Sequence, residues 1–575
     1  MTIAQRPWWK DGVVYQIYPA SFKDSNGDGI GDLPGITQSL DYLKALGIDI
    51  VWICPMFDSP QVDMGYDISD YENVYPPYGT VADMERLIEE CHSRGMRIIL
   101  DLVINHTSDQ HQWFKESRSS KDSPKRDWYI WKPARYDADG KRQPPNNWRS
   151  NFGGSVWEWD EATEEYYLHL FCPEQPDLNW ENEETRKAIY ASAMTFWLDK
   201  GVDGFRIDTV NMYSKDQTYP NAPITDEGAE WQEAGKLYCN GPRMHEFLGE
   251  MNAILSRYDA MTVGELPHTP DSARVIEYVS AKQKRLNMVF QFDVVDLGMG
   301  KVFKYQTKPF DWTLRSLKNA ISLTQGLTAG TDAWTTAFME NHDQARSISR
   351  YGDDSPQWRK RSGKMLALML AALSGTLYVY QGQEIGMINI PKDWSIEEYK
   401  DVDSINYYTM VAERSGNDAE KLAEAQSALQ HLGRDNARTP MQWTSALPNG
   451  GFTTPQAKPW MRVNNSTSEI NVAQQSIDKN SVLAFWKQML ATRKQYNNLF
   501  VHGDFQMVDV ENNHVLSFTK QWRDQKALVL CNYSGQEREV PTIDGLQGHQ
   551  KMLLSNVESS STKLQPWEGR IYLLS

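Results

Sequence analysis

Gly204-Phe205-Arg206-Ile207-Asp208 runs apolar and aromatic up to a closing acid, so it reads as a buried strand ending in a carboxylate. The same pattern recurs at Val263-Gly264-Glu265 and at Asn341-His342-Asp343. Helical stretches separate the three runs, so parallel pairing would bring Asp208, Glu265 and Asp343 to one end of a barrel. Outward from this core, strand-like and helix-like stretches alternate along the chain. The candidate strands are Val14–Pro19, Asp49–Pro55, Arg97–Asn105, Gly204–Val210, Met261–Leu266, Met288–Asp293, Thr335–Asn341 and Thr376–Gln381. Between most of them lie about 12–20 residues of helical periodicity, as in Val81–Arg94, Glu184–Lys200 and Lys360–Ser374. This α/β pattern predicts a (β/α)₈ TIM barrel with its site at the C-terminal ends of the strands.

Two gaps are too long to be connections. Residues 106–170 are rich in Trp, Pro, Ser and charge and read as an inserted subdomain after strand three. Residues 382–480 after strand eight read as a long loop with short helices, followed by a last helix near Ser481–Tyr496. From about Phe500 the short runs Phe505–Val508, His514–Thr519, Ala527–Asn532 and Arg570–Leu574 predict a C-terminal antiparallel β-sandwich over 500–575. The barrel would then occupy 1–105 and 171–499.

A net charge of −17 argues against nucleic acid as a partner and favours a neutral or cationic ligand. The N-terminal stretch MTIAQRPWWKDGVVYQIYP has no apolar signal core, and no run approaches a membrane span. Cys54, Cys91, Cys172, Cys239 and Cys531 are odd in number and scattered, which suits free thiols in a reducing compartment. Cytoplasm is the expected location, with no membrane partner.

Cleaving a glycosidic bond requires one carboxylate to attack carbon and one carboxylic acid to protonate the leaving oxygen. Arg206 precedes Asp208 by two residues, so both side chains share one face of the strand and the arginine can keep the acid ionised. Gly264 before Glu265 would leave room for a ligand or backbone to approach. A glutamate in a partly desolvated pocket beside other acids has its pKa raised, to roughly 6, and can donate a proton near neutrality. His342 with Asp343 could hold two adjacent sugar hydroxyls, and His106 lies at the rim of strand three, with Asp101 deeper and supporting the barrel. Each cluster alone also reads as an ordinary structural ion pair or cap. Four polar clusters on strands three, four, five and seven are hard to explain by stability.

DLVINH, GFRIDT, VGE and ENHD, in that order, resemble the four signature regions of the alpha-amylase family of glycoside hydrolases (family 13). Gln175-Pro176-Asp177-Leu178-Asn179 resembles the segment marking its oligo-1,6-glucosidase and maltase branch, and the likeness, closest to fungal maltases and isomaltases, runs from Trp8 to Arg570. The resemblance implies a retaining mechanism with Asp208 as nucleophile, Glu265 as acid/base and Asp343 as transition-state stabiliser. It also implies that Asp63, Tyr66, His106, Phe171, Gln175, Arg206, His342 and Arg438 line a pocket for the non-reducing glucose. Thr209 follows the nucleophile where strict α-1,6 enzymes of the family carry Val, so α-1,4 bonds should be accepted. Val210 and Asn151 depart from the yeast pattern at the acceptor side.

Asp24, Asn26, Asp28 and Asp32, with the Ile30 carbonyl, follow the start of an EF-hand loop, although Gly35 stands where its bidentate Glu would be. The branch resemblance points the same way, to a structural Ca²⁺ as a loop staple far from the chemistry, and this reading is favoured over an Asx/Gly turn without metal. The expected activity is an exo-acting α-glucosidase on maltose-type α-glucosides and short oligosaccharides, working as a monomer or weak oligomer. The alternatives are a transglucosidase or sucrose-active enzyme, and a non-catalytic amylase-like escort protein. Val294-Val295-Asp296-Leu297-Gly298 stands where sucrose isomerases carry an Arg-rich loop.

Overall fold

The computed structural model describes residues 6–300, 304–305, 312–541, 550–558 and 561–574. Eight parallel strands form its central sheet: β1 (Val13–Ile17), β2 (Ile50–Ile53), β3 (Arg97–Leu102), β4 (Gly204–Ile207), β5 (Met261–Glu265), β6 (Met288–Phe290), β7 (Thr336–Ala337) and β8 (Thr376–Tyr380). Their order is β6-β5-β4-β3-β2-β1-β8-β7. The two edges meet where the Thr336 hydroxyl in β7 donates to the Val289 carbonyl in β6 at 3.1 Å. The (β/α)₈ barrel is present.

The strands are buried on both faces, which is why they read as unbroken apolar runs rather than alternating ones. Val14, Trp52, Ile99, Val263, Phe290 and Tyr378 point inward and fill the barrel. Trp52 stacks on Phe290 at 5.7 Å and Phe290 meets Tyr378 edge-on at 4.7 Å, so aromatic rings plug the barrel beneath the site. Val13, Tyr15, Val51 and Ile98 point outward into the larger core under the helices.

Register aligns the polar strand ends. Arg206 in β4 pairs with Asp101 in β3 and Val263 in β5. Gly204 opens β4 at φ +148, and a Cβ there would lie 2.1 Å from the Met261 carbonyl oxygen, so close strand approach demands glycine.

Strand seven is shorter than the sequence predicts. Beyond Ala337 the chain leaves the ladder, and Asp343 sits in a turn closed by its own amide donating to Asn341 Oδ1 at 2.8 Å. Buried Glu340 anchors this segment by accepting from the Ser347 amide at 2.8 Å. The 382–480 stretch is also more ordered than a loop. It holds two long helices, Val402–Ser415 and Ala419–Leu432, each capped by an aspartate, Asp401 and Asp418. With Tyr305, Ile390, Trp394 and Tyr399 they enclose a core of their own.

Residues 131–168 carry a three-stranded antiparallel sheet from Trp131–Lys132, Trp157–Asp160 and Glu165–Leu168. Its core of Ile130, Trp148, Val156 and Leu168 is completed by Met212, Tyr219 and Tyr238 from the segment after β4, a partnership that the sequence reading did not foresee. The C-terminal strands Asp504–Val508, Val515–Trp522, Gln525–Asn532, Gln550–Ser555 and Gly569–Leu574 form one antiparallel sheet. Val540 and Leu564 cover Val515, Leu528 and Leu530 from one side, and the helix Arg359–Ala371 packs on the sheet as well.

Candidate active site

Arg206 is the hub of the strand ends. It is 1% exposed, and its Nη1 donates to Asp208 Oδ1 at 2.7 Å and to Asp101 Oδ1 at 2.6 Å. Its Nη2 lies 3.0 Å from Glu265 Oε2. One guanidinium therefore holds Asp208 and Glu265 side by side, and its planar fork fixes their directions. Thr209 ties them again: its hydroxyl donates to Asp208 Oδ2 at 3.2 Å and its amide to Glu265 Oε2 at 3.4 Å. Thr209 does so at φ 38, an unfavourable conformation for a β-branched residue and a mark of local strain at a functional site.

Asp343 arrives from the opposite side. Arg438 Nη2 and Arg434 Nη1 donate to its Oδ1 at 3.0 and 3.2 Å, and His342 Nε2 lies 3.0 Å from its Oδ2. The Gln16 amide donates to His342 Nδ1 at 2.8 Å, which leaves the ring proton on Nε2, facing Asp343 and the Tyr66 hydroxyl.

These environments push the acids apart. Burial raises Glu265 to about 7, with Asp208 and Asp343 adding to the rise and Arg206 opposing it. Burial likewise lifts Asp208 to about 6 against the pull of Arg206. For Asp343 burial also pushes upward, but His342, Arg434 and Arg438 reverse it and hold the carboxyl well below its usual range. Near neutrality the site thus contains a mainly ionised Asp208, a Glu265 able to hold a proton, and a permanently anionic Asp343.

The residues that the resemblance placed in the pocket fall into two groups. Thr209 and His342 touch the acids directly, whereas Tyr66 reaches them through His342, Asp63 through Arg434, and Phe171 packs against His106 and Phe152. Gln175, Arg206 and Arg438 are almost wholly buried, as His342 is, and hold acids in place. Gln175 Nε2 donates to Asp63 Oδ2 at 3.1 Å. His106 follows the C-terminal end of β3 but is 1% exposed: its Nε2 donates to the Tyr66 carbonyl at 3.0 Å, and burial lowers it to about 4, so it is neutral. Asp101 supports Arg206 and also accepts from the Tyr66 hydroxyl at 3.1 Å and Trp52 Nε1 at 3.2 Å. Gly264 makes room for side chains, not for a ligand, since a Cβ there would meet Leu286 at 2.7 Å and Val210 at 2.8 Å.

A cavity of about 1210 Å³ opens over Glu265 and Asp343 and is walled by Phe152, Asn151, Phe292, Lys304, Asn406 and Arg434. The sequence reading missed Arg434, which donates to Asp63 Oδ1 at 3.2 Å as well as to Asp343 and places its guanidinium 5.0 Å from the Phe152 ring. Its spacing of four residues from Arg438, one helical turn, was the available signal. Lys304, which donates to the Asp343 carbonyl at 3.0 Å, carried none. Among the described residues, no group of three or more His, Cys, Asp or Glu side chains is arranged to hold a metal, and no helix is long and apolar enough to cross a membrane.

Comparison with known proteins agrees with this geometry. Residues 16–503 match the alpha-amylase catalytic domain. The chain is 52% identical to an alpha-glucosidase of Candida albicans, with 100% of both chains covered. It is 49% identical to an oligo-1,6-glucosidase of Saccharomyces cerevisiae, covering 98% of each. Among solved structures, the trehalose-6-phosphate hydrolase of Bacillus licheniformis superposes with a TM-score of 0.90 at 41% identity, over 99% of this chain and 100% of that one. The chain therefore belongs to the alpha-amylase family of glycoside hydrolases.

Proposed function

We propose that the protein is a retaining, exo-acting α-glucosidase that releases α-glucose from the non-reducing end of maltose-type α-glucosides. The observation that carries this reading is the single guanidinium of Arg206 bonded to both Asp208 and Glu265. Two carboxyl groups held this close suit direct attack by one of them, with no water between. Asp208 Oδ attacks the anomeric carbon while Glu265 gives its proton to the glycosidic oxygen, and that bond breaks. Glu265, now anionic, takes a proton from water, which displaces Asp208 from the same carbon and restores the α configuration. Asp343 stabilises the cationic sugar in both steps. Asp63, Tyr66, His106, Phe171, Gln175, Arg206, His342 and Arg438, together with Arg434, shape the glucose subsite, directly or through the acids they hold.

The Thr209 hydroxyl keeps the wall beside the leaving sugar polar and favours α-1,4 bonds. The roomy cavity beyond Glu265 supports a second activity, transfer of glucose to another sugar. Incubation with maltose, isomaltose and sucrose separately, with products followed by chromatography and anomer by NMR, tests this reading. Early α-glucose from maltose that disappears in Asp208→Asn is the expected result. Dominant trisaccharides would make the protein a transglucosidase, and no turnover of any of the three would return it to a binding or escort role.

Five buried free cysteines support a cytoplasmic location. A structural Ca²⁺ would be held by Asp24, Asn26, Asp28, Asp32 and the Ile30 carbonyl, all hard oxygen donors. Gly27 and Gly29 turn at φ 86 and 95, and Asp24, Asn26 and Asp28 accept from the loop amides of Gly27, Asp28 and Ile30, so an ion would draw these oxygens together from the Asx turns they form without it. Bound calcium would tie this loop together away from the reacting atoms.

A further inference from the structure

We propose that Asp401 is a positioning residue for the hydrolytic reaction, fixing through Arg434 and Arg438 the direction in which Asp343 faces the sugar. The inference rests on the proposed glucosidase activity but concerns a residue that does not touch substrate.

Asp401 is 1% exposed and lies at the N-terminus of the helix Val402–Ser415, far in sequence from every signature strand. Its Oδ1 accepts from Arg434 Nε at 3.0 Å, and its Oδ2 lies 2.9 Å from Arg434 Nη2, a two-point grip that leaves the guanidinium plane little freedom. Oδ2 also accepts from Arg438 Nη1 at 2.5 Å. Each arginine then turns its other terminal nitrogen to Asp343 Oδ1. Arg438 Nε further donates to the His342 carbonyl at 3.1 Å, locking the turn that carries Asp343. Asp343 needs such outside support, because β7 ends at Ala337 and no strand ladder holds its backbone. Asp208 and Glu265 are placed by the barrel, whereas Asp343 is placed by two arginines whose common anchor is Asp401.

The bland alternative is that Asp401 serves only as a helix cap, since its Oδ1 also accepts from the Asp403 and Ser404 amides at 3.0 and 3.3 Å. Asp401→Asn and Asp401→Ser separate the two roles. Both replacements can still cap the helix; neither can hold two guanidinium groups at once. Steady-state kinetics on maltose, normalised to correctly folded protein by circular dichroism and thermal unfolding, give the readout.

The expected result for both variants is a fall in kcat of about tenfold to a hundredfold, the scale of a misplaced catalytic group. KM should change by less than about threefold, because an interaction realised mainly in the transition state is lost. Asp401→Glu, which keeps the charge, should recover part of kcat. A kcat within about twofold of wild type, or a rise in KM at unchanged kcat, overturns the proposal. If the wild-type protein itself turns over no α-glucoside, it is the proposed function that fails, a result read before any variant is made.

Discussion

At the residue scale the decisive chemistry lies in what each acid leans on. In the proposed mechanism Asp208 must be ionised to attack and Glu265 protonated to donate, so activity should appear as pH rises through about 6 and disappear as it rises through about 7. A bell-shaped profile of kcat/KM with a narrow maximum between these values is expected. Glu265→Gln, assayed on a glucoside whose leaving group needs no proton, should lose the basic limb and keep the acid one. Thr209→Val removes the hydroxyl on Asp208 Oδ2 while keeping the branched shape. The kcat/KM ratio of maltose to isomaltose should fall about tenfold, measured by glucose release under identical conditions. Asp208, Glu265 and Asp343 were legible in the sequence because each closes a recognisable run. Asp401 was not, because its partners lie far away in the chain and nothing local marks it, and Arg434 offered only its one-turn spacing from Arg438.

At the scale of elements, the barrel strands work as a ruler. Parallel register sets Arg206 level with Asp101 and Ile207 level with Gly264, which brings Asp208 and Glu265 to the same height. The ruler depends on how closely β4 and β5 approach. Gly204→Ala would press a Cβ onto the Met261 carbonyl at 2.1 Å in a conformation that side chains rarely adopt. A loss of at least about 1–3 kcal/mol is expected, read as a lowered unfolding temperature and reduced soluble yield. The eight strands could be read from sequence because two-sided burial requires continuous apolar runs. The helices Val402–Ser415 and Ala419–Leu432 could not. Their mixed polar faces bury only a narrow stripe, and that stripe makes sense only beside Tyr305 and Trp394.

At the scale of the whole molecule, segments distant in sequence close the pocket. The Asn406 amide donates to the Phe152 carbonyl at 3.2 Å, linking the helix after β8 to the insertion after β3. A pocket bridged in this way admits a chain end but not the middle of a polymer. Turnover of maltose should exceed that of soluble starch by about a hundredfold or more in kcat/KM per chain, compared by glucose release. The Asp24–Asp32 loop belongs to this scale too, since the Thr453 hydroxyl donates to Asp24 and ties the loop to the stretch after β8. Chelation with EGTA should lower the unfolding temperature by several degrees, with Ca²⁺ restoring it, while kcat at 25 °C stays nearly constant.

By itself the sequence determined the barrel, the order of its strands along the chain and the three acids that follow them. Each of these is written locally, in runs of a few residues whose burial and spacing carry their own physical meaning. Only the tertiary structure decided which charge steadies which acid, that Arg206 serves Asp208 and Glu265 together, that His106 is buried and bonded to the Tyr66 carbonyl, and that Asp343 rests on Arg434, Arg438 and Asp401. Those are contacts between groups far apart in the chain. Their energies depend on distance and burial in three dimensions, and neither is encoded in any single stretch of residues.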